Sequence, residues 1–509
     1  MTQAPPHRGC EFYDLIVIGG GINGAAIARD AAMRKLKVVL IEKRDFGSGA
    51  SSKTSKLVHG GVRYLEQFQF SLVREALNER SLLIKNAPHL VKPLPFLLPV
   101  YKEDPHSLWK VNLGLYFYDF LAGNADFPKH ARLQAKDILI QVPGLKSEGL
   151  CGGCSYFDAQ MLDNRIVIEN ILSAEREGAK VCNYTEAVGL LKENNQLAGV
   201  SYRNDLTGEQ GEIYGKILVN ATGAWSSKII GMEPDANQSG PRPTKGVHLI
   251  IPQILPEAAL LLRSPKDGRV FFILPWGDYS LVGTTDTFFQ GNYDHVTVEE
   301  QDKSYLLDAV NAFFPEKQLT TSSIISSFAG LRPLVDSTAY EKPSSIFREH
   351  TIQVSKSGLI TLLGGKYTTH RLIAEEVVDT VVIQLNGIKS FLPCKTKIEP
   401  LPGAAGPFSL LEVKEALKLE NLDNRLITHL LNTYGTESLA ILKIIKQRPE
   451  EAEPILKNHP QIFAELTYSV QYEHLKKLED WFLRQNTNIY QPDEYTECRD
   501  RIEQKLMFN

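Results

Sequence analysis

Short apolar runs flank a helical stretch near the start of the chain. Residues 15–18 form a run rich in β-branched side chains, which is typical of a buried parallel strand, and residues 37–41 (KVVLI) form another. Between them, residues 22–34 carry an Ala-rich pattern with the periodicity of a helix. The order strand, helix, strand predicts one βαβ unit and therefore an α/β fold.

The pattern changes in the last quarter of the chain. Residues 398–407 (IEPLPGAAGP) form a Pro- and Gly-rich linker, after which the strand-like runs stop. Residues 409–419, 424–431 and 463–483 show apolar positions at the spacing of amphipathic helices. These segments predict a separate C-terminal helical domain.

A third segment is aromatic. Residues 108–121 crowd Trp, Tyr and Phe into one short apolar run, for which a buried helix is the favoured interpretation and a helix at a membrane interface is the alternative. No run reaches the roughly 18 consecutive apolar residues of a transmembrane helix. The first residues, MTQAPPHRGCEF, lack the pattern of a secretory signal. The sequence therefore predicts a soluble or peripheral protein.

Composition excludes several classes of protein. The 56 basic and 60 acidic side chains give a formal net charge of -4, so no electrostatic case exists for nucleic-acid binding. The six cysteines are too sparse for a disulfide framework, which indicates a reducing compartment. Cys151 and Cys154 form an isolated CxxC without a second pair at metal-site spacing. They are interpreted as lying in a Gly-containing turn, and no metal site is predicted.

The turn inside the βαβ unit carries candidate chemistry. Residues 19–24 read GGGING, which matches G-x-G-x-x-G, and Glu42 closes the second strand. Gly19 permits the tight turn, Gly21 lets the backbone approach a pyrophosphate, and Gly24 allows the helix to pack closely on the strand. The helix N-terminus would face the phosphates, and Glu42 would accept hydrogen bonds from ribose hydroxyls. The motif predicts a dinucleotide site without separating FAD from NAD.

The segment after this unit is more specific. Residues 47–66 read GSGASSKTSKLVHGGVRYLE, and this run resembles the FAD-dependent glycerol-3-phosphate dehydrogenase family within the D-amino-acid-oxidase-like flavoproteins. Further motifs resemble that family in the same order along the chain. They are NATGAW at 220–225, KGVH at 245–248, PW at 275–276, GTTD at 283–286, GLRPL at 330–334 and GGKYTT at 364–369.

The resemblance implies the architecture. It implies an FAD-binding Rossmann-like domain of the D-amino-acid-oxidase type, assembled from separated segments, and a substrate-binding domain built on an antiparallel sheet. The implied segments are 11–85, 155–245 and 325–390 for the FAD-binding domain and 86–154 and 246–324 for the substrate-binding domain. Residues 400–509 resemble the C-terminal domain of the family in YGTESL and YEHLKKLEDWFLR. They depart from it at 483–486, which read LRQN where relatives carry an RRT-like motif.

The resemblance also implies the reaction, the oxidation of sn-glycerol 3-phosphate to dihydroxyacetone phosphate. Hydride passes to flavin N5 while a base takes the hydroxyl proton. A phosphate needs more than one cation, so the guanidinium forks of Arg63 and Arg332 are expected to bind it. Lys366 is expected either to add a third positive group or to polarise the flavin. His59 is the first candidate for the base and His248 the rival, because an imidazole can accept a proton at neutral pH.

Other positions carry further expectations. Tyr64 is interpreted either as orienting the substrate or as a packed aromatic. Asp163 and Arg165 begin a helical segment, where a surface ion pair is one interpretation. The predicted FAD contacts are Gly19, Gly21, Asn23, Gly24, Glu42, Ser51, Ser52, Lys56, Thr222, Gly223, Gly364, Gly365, Lys366 and Thr368.

The electron acceptor implied by the family is a membrane quinone, reached by a peripheral protein, so the expected location is cytoplasmic, at the inner face of the cytoplasmic membrane. A related branch passes electrons to oxygen and usually carries an inserted segment. Only 31 residues separate Arg332 from Gly364, which favours the dehydrogenase. The alternatives are an amino-acid or hydroxy-acid oxidase and a non-catalytic flavin-binding protein. The oligomeric state stays open, and a homo-oligomer is among the options.

Overall fold

The computed structural model of the chain describes residues 11–123, 127–233, 240–334, 350–386, 392–406, 409–419, 422–485 and 492–507. The strands are β1 Phe12–Ile18, β2 Val38–Ile41, β3 Leu57–Val58, β4 Val91–Tyr101, β5 Ala131–Leu133, β6 Leu150–Met161, β7 Lys180–Cys182, β8 Thr185–Glu193, β9 Gln196–Asn204, β10 Gln210–Asn220, β11 Arg242–Pro252, β12 Ala259–Arg263, β13 Val270–Trp276, β14 Tyr279–Gly283, β15 Thr287–Phe288, β16 Ser326–Leu334, β17 His350–Val354 and β18 Ile360–Gly364. The helices are α1 Ile22–Met33, α2 Phe70–Asn86, α3 Leu108–Ala122, α4 Ala135–Gln141, α5 Asp163–Arg176, α6 Ser226–Ile230, α7 Glu300–Phe313, α8 His370–Asn386, α9 Leu410–Leu419, α10 Asn424–Tyr434, α11 Ser438–Gln447, α12 Phe463–Tyr472, α13 Leu478–Arg484 and α14 Pro492–Met507.

The first sheet contains the predicted βαβ unit. β1 lies between β10 and β2 and is parallel to both, and β7 and β18 extend this parallel set. β17 pairs antiparallel with β18, and the β8–β9 hairpin extends from β10. Buried apolar side chains of α1, α5 and α8 cover one face of the sheet. The Gly-rich turn therefore emerges from the middle of a packed core, which fixes its position.

The second sheet is mainly antiparallel, in the order β15-β11-β14-β13-β12-β4-β6-β3, with β16 also on β11 and β5 on β6. Apolar residues of α4 and α7 pack on it. The two sheets and the C-terminal helices confirm the predicted fold class. The division of the chain into segments stays a prediction. β16, which that division gives to the FAD-binding domain, pairs along its whole length with β11.

The aromatic segment forms α3, but the prediction that this helix is buried is wrong. Only Leu115 and Tyr118 of α3 are buried, whereas Trp109 is 60% and Phe120 74% exposed. Because α3 is apolar on all sides, its periodicity did not show which side the rest of the chain covers. No helix in the described ranges combines the length and the hydropathy of a membrane span.

The C-terminal helices α9 to α14 form apolar clusters of their own. The prediction of one helix over residues 463–483 is wrong, because α12 ends at Tyr472 and α13 begins at Leu478. Between them His474 has a left-handed φ of +56°. The carboxylate of Glu473 pairs with Arg165 of α5 at 2.8 Å, which fixes the break. Asn486, the last residue of the divergent LRQN motif, lies outside the described residues.

Candidate active site

The Gly-rich turn adopts the geometry that its motif predicts. Gly19 has a φ of +109°, a conformation that favours glycine. A Cβ on Gly24 would lie 1.8 Å from the Gly19 carbonyl oxygen, so α1 approaches the turn through bare backbone. Glu42 accepts hydrogen bonds from the N–H groups of Gly20 (2.6 Å) and Arg44 (2.9 Å). Burial raises the pKa of the Glu42 carboxyl, and these two donors oppose that rise.

A cavity of about 550 Å³ opens beside this turn, lined by residues of both sheets. Most of the predicted site residues line it. They are Gly19, Gly21, Asn23, Glu42, Ser51, His59, Tyr64, Thr222, Gly223, His248, Arg332, Gly364, Gly365, Lys366 and Thr368. Residues from seven separate parts of the sequence therefore meet at one cavity.

Four predicted site residues are not among those that line the cavity: Gly24, Ser52, Lys56 and Arg63. Lys56 is buried, and its Nζ donates to the Ser52 carbonyl oxygen and pairs with Asp163, both at 2.7 Å. Lys56 therefore supports the loop that contains Ser52 without lining the cavity itself. The Arg63 guanidinium carbon lies 5.6 Å from the ring centroid of Tyr64, which does line the cavity.

Two interpretations from the sequence are wrong. Asp163 and Arg165 do not form a surface ion pair, because both are buried and each pairs with another residue, Lys56 and Glu473 respectively. Cys151 and Cys154 lie within β6 rather than in a turn, one exposed and the other buried. Residues three apart on a strand point to opposite faces, which explains the difference in exposure.

Arg332 is held at the cavity by the GTTD motif. Its Nη1 donates to the Thr285 carbonyl oxygen and to Asp286 Oδ1, both at 3.1 Å, and its Nη2 donates to Thr284 Oγ1 at 2.7 Å. On the neighbouring strand β11, a Cβ on Gly246, which pairs with Gly330, would lie 2.3 Å from the Arg332 guanidinium. Gly246 of the KGVH motif thus leaves room for Arg332, and Asp286 fixes the direction of the Arg332 guanidinium.

His248 lies buried beside this arginine. Its Nε2 is 2.8 Å from Ser55 Oγ, and its ring stacks on Phe328 with 5.0 Å between centroids. Burial, together with the positive charges of Arg332 and Lys56, holds the pKa of His248 well below its usual range. The imidazole is therefore neutral at physiological pH.

The HGGVRY turn and the GGKYTT loop meet at the cavity. The His59 N–H donates to Thr368 Oγ1 at 3.3 Å. The Lys366 ammonium lies 3.9 Å from the ring centroid of Tyr64, which is buried. Gly61, with a φ of +76°, bends the chain between His59 and Tyr64. The Lys366 ammonium, the His59 imidazole and the Tyr64 phenol thus lie at one cavity, although they come from two distant motifs.

Sequence reasoning missed several lining or supporting residues. Lys53 lines the cavity, and burial lowers the pKa of its ammonium. It lies in the same SSKTSK run as Lys56, and the run alone did not show which lysine faces the cavity. Asp294 also lines the cavity and accepts hydrogen bonds from Lys43 (2.6 Å) and the Trp225 indole (3.0 Å). No motif marked it.

The residues at the turn fit a dinucleotide. A Cβ on Gly21 would meet only Ser51 Oγ, at 3.1 Å, so the N-terminus of α1 opens directly on the cavity. Asn23 Oδ1 is a buried acceptor without a hydrogen-bond partner within the described ranges. A helix N-terminus with free space suits a diphosphate, and a half-buried carboxylate such as Glu42 suits ribose hydroxyls.

Sequence models of two families match the chain. The family described as FAD dependent oxidoreductase matches residues 14–379. The family described as the C-terminal domain of alpha-glycerophosphate oxidase matches residues 394–505. Together they span nearly the whole chain.

Individual proteins are similar to this chain over most of its length. A glycerol-3-phosphate dehydrogenase of a Synechocystis species is 38% identical over 486 residues, covering 92% of this chain and 87% of that protein. The aerobic glycerol-3-phosphate dehydrogenase of Bacillus subtilis is 37% identical over 488 residues, covering 94% and 87%. Among solved structures, the glycerol-3-phosphate dehydrogenase of Bacillus halodurans complexed with FAD matches with a TM-score of 0.77 and 28% identity, covering 97% and 95%. A glycine oxidase of Bacillus cereus, 21% identical with a TM-score of 0.55 and covering 73% and 95%, shares the fold.

Proposed function

This chain belongs to the FAD-dependent glycerol-3-phosphate dehydrogenase family, and from that membership we propose that it oxidises sn-glycerol 3-phosphate to dihydroxyacetone phosphate. It is an oxidoreductase, and FAD is its cofactor, as predicted. The observation that carries the proposal is that Arg332, Lys366 and two histidines line the same cavity as the Gly-rich turn. Cations beside a dinucleotide site suit a phosphorylated alcohol, since a phosphate carries nearly two negative charges.

The cofactor would be held along the lining residues. Gly19, Gly21 and the N-terminus of α1 would hold the diphosphate, and Glu42 the adenosine ribose. Residues 364–368 and 222–223 would lie against the flavin half. When bound, FAD supplies the acceptor for the hydride that leaves the substrate carbon.

The substrate phosphate would be bound first by Arg332. Its guanidinium is already fixed by Asp286 and Thr284, so little side-chain entropy is lost when it binds an anion. Lys366 would supply a second cation, and Tyr64, whose ring lies under that ammonium, would orient the substrate. Arg63 remains the proposed second guanidinium because it is next to Tyr64 in the chain.

The proposed base is His59. It must take the proton of the substrate hydroxyl as hydride leaves the carbon. The depressed pKa of His248 supports this assignment, because an imidazole that resists protonation is a weak base. The Thr368 hydroxyl, which accepts a hydrogen bond from the His59 N–H, keeps the backbone of that residue at the cavity wall.

The test is reduction of the bound flavin without oxygen. We expect glycerol 3-phosphate to bleach the yellow flavin, whereas glycerol, lactate and amino acids leave it oxidised, because they lack a phosphate for Arg332. A flavin that stays yellow with glycerol 3-phosphate but is reduced by an amino acid would contradict the proposal. Bound FAD that none of these compounds reduces would indicate a non-catalytic flavin protein.

The proposed electron acceptor is a membrane quinone. The short interval between Arg332 and Gly364 supports a dehydrogenase, although residues 335–349 of it lie outside the described residues. Mixing the reduced protein with a soluble quinone analogue or with oxygen separates the two acceptors. We expect rapid reoxidation by the quinone and slow reoxidation by oxygen. Fast formation of hydrogen peroxide would identify an oxidase instead.

The exposed face of α3 supports peripheral attachment to a membrane, as does its position beside the active site. Trp109, Tyr116, Phe117 and Phe120 are all at least 45% exposed. A helix with Trp, Tyr and Phe on its outer face lies in the lipid interface rather than across the bilayer. On its inner face Tyr118 accepts a hydrogen bond from the Gly60 N–H at 2.9 Å, next to His59. Attachment here would bring the active site close to the quinone, at the inner face of the cytoplasmic membrane.

A further inference from the structure

A buried arginine of the C-terminal helices contacts the FAD-binding half of the molecule. Arg484, the last residue of α13, is fully buried. Its Nε donates to Asp45 Oδ2 at 2.7 Å and its Nη2 to Asp45 Oδ1 at 2.5 Å, which forms a two-pronged guanidinium–carboxylate pair. Its Nη1 donates to the Glu473 carbonyl oxygen at 2.7 Å. Asp45 and Arg484 are 439 residues apart in the chain and meet with neither side chain exposed to solvent.

Asp45 belongs to the turn that supports the Gly-rich motif. Its neighbour Phe46 is fully buried against Gly20, since a Cβ on Gly20 would lie 2.7 Å from the Phe46 ring. The next residue, Gly47, donates its N–H to the Gly20 carbonyl oxygen at 2.9 Å and lines the cavity. Glu42, just before the turn, is bonded to the Gly20 N–H. A shift of Asp45 would therefore displace Gly20, because Phe46 and Gly47, the next two residues in the chain, contact Gly20 directly.

Asp45 lies among buried charged side chains, and the carboxylate of Asp480 is also nearby. Glu473 pairs with Arg165 of α5 at 2.8 Å, so two arginines face two carboxylates, all of them buried. The Asn183 side-chain amide donates to Asp45 Oδ1 at 3.1 Å. A buried carboxylate that loses its cation is destabilised, so the loss of Arg484 would remove the group that holds Asp45 in this position.

We infer that Arg484 is a positioning residue for FAD, and that the C-terminal helical domain retains the cofactor by fixing the 42–47 turn through Asp45. No residue of α13 is among those that line the cavity, so the effect passes through Asp45, Phe46 and Gly47 rather than through contact with the cofactor. The inference rests on FAD as the cofactor and not on the identity of the substrate.

The test is the rate at which the holoprotein releases FAD after dilution, followed by the recovery of free-flavin fluorescence. Arg484→Met removes the cation, and the double variant Asp45→Asn/Arg484→Met removes both members of the pair, so that no buried charge is left unpaired. Arg484→Lys keeps the charge but loses the two-pronged geometry. The matched control is Arg499→Met, which breaks partly exposed ion pairs of the same domain with Glu479 and Glu503.

We expect at least tenfold faster release of FAD from Arg484→Met and from the double variant, an intermediate rate from Arg484→Lys, and the unmodified rate from Arg499→Met. The unfolding temperature of each variant in saturating FAD shows whether it is folded. A folded double variant that releases FAD at the unmodified rate would overturn the inference. Failure of all three Arg484 variants to fold would also overturn it, because the pair would then support the whole fold rather than the cofactor. Release of FAD is measured without substrate, so failure of the proposed reaction leaves this result intact.

Discussion

The Arg332 guanidinium is held in one direction by its neighbours in the protein. Arg332 is bonded by Thr284, Thr285 and Asp286, and Gly246 leaves the space that its guanidinium occupies. The sequence predicted the arginine but not the carboxylate that directs it. Asp286 is therefore the position at which the proposed binding of substrate by Arg332 can be tested without changing the arginine.

Replacing Asp286 with Asn should raise the KM for glycerol 3-phosphate by about tenfold, because a hydrogen bond to a charged group is worth roughly 1.5–3 kcal/mol. The effect on kcat should be smaller, since the amide can still accept one bond from Arg332. Steady-state kinetics with a soluble acceptor measure both. Asp278→Asn is the control, because Asp278 is exposed and is not among the residues that line the cavity. An unchanged KM for Asp286→Asn would remove Asp286 from substrate binding.

Two further substitutions test which of the two histidines, His59 or His248, is the base. His59→Asn should slow the anaerobic reduction of the flavin by about 10²- to 10⁴-fold, the usual contribution of a general base. His248→Asn should cost less, because the depressed pKa of His248 makes it a poor proton acceptor. Stopped-flow absorbance of the bound flavin measures both rates. A larger loss for His248→Asn would make His248 the base.

At the element scale, the junction of β1 and α1 sets the approach of the cofactor. Gly24 is required by the fold itself, since its Cβ would lie 1.8 Å from a backbone oxygen. Gly21 is different, because its φ of -74° is open to any residue and the nearest atom to its Cβ would be Ser51 Oγ. The two glycines of one motif thus differ: a side chain at Gly24 would clash with backbone, whereas Gly21 lines the cavity.

Gly21→Ala should therefore leave the apoprotein folded while raising the dissociation constant for FAD at least tenfold. In the protein the added methyl group would contact only Ser51 Oγ, at 3.1 Å, so this side chain must shift slightly, and the methyl group would occupy the space of the diphosphate. Titration of apoprotein with FAD gives the dissociation constant, and thermal unfolding of the apoprotein gives the stability. Gly24→Ala, in contrast, should lower the unfolding temperature of the apoprotein as well. Tight binding of FAD to Gly21→Ala would move the diphosphate away from this turn.

The outer face of α3 gives a prediction about membranes. Trp109→Ser/Phe120→Ser should weaken binding to anionic phospholipid vesicles at least tenfold, because burial of each aromatic side chain contributes about 2 kcal/mol. Co-sedimentation with vesicles measures the binding. Leu411→Ser/Val470→Ser changes two comparably exposed apolar residues of the C-terminal domain and should have no effect. Equal loss in both double variants would remove α3 from this role.

Across the whole molecule, charged side chains of the C-terminal domain are buried against the FAD-binding half. Asp480 of α13 accepts a hydrogen bond from the Tyr184 hydroxyl at 2.6 Å. Burial and the nearby Asp45 carboxylate raise the pKa of Asp480 to about 6 from an unfolded value of 3.8. An acid whose pKa is raised on folding destabilises the folded state once it ionises. This cost is absent below pH 3.8, grows between these values, and is complete above about pH 6.

Asp480→Asn should therefore stabilise the protein by about 1 kcal/mol at pH 8, a value reduced from the full shift because the side chain is only partly buried. The gain should shrink as the pH falls from 6 towards 4. Thermal unfolding of both proteins across this range measures it. Asp500→Asn, at an exposed position of α14, is the control. A gain that does not depend on pH would point to packing rather than to the charge of Asp480.

Much of this molecule was determined by sequence alone, because some information is local. The Gly-rich turn, the strand and helix on either side of it and Glu42 lie within 30 residues, so their geometry follows from backbone sterics and apolar periodicity. The family motifs identified FAD, and most of the predicted site residues line the cavity. The tertiary structure alone decided which of two neighbouring lysines faces the cavity, that Asp286 directs Arg332, and that one side of α3 is uncovered. It also brought Arg484 to Asp45. Each of these depends on contacts between distant segments, and neither periodicity nor spacing records how distant segments pack together.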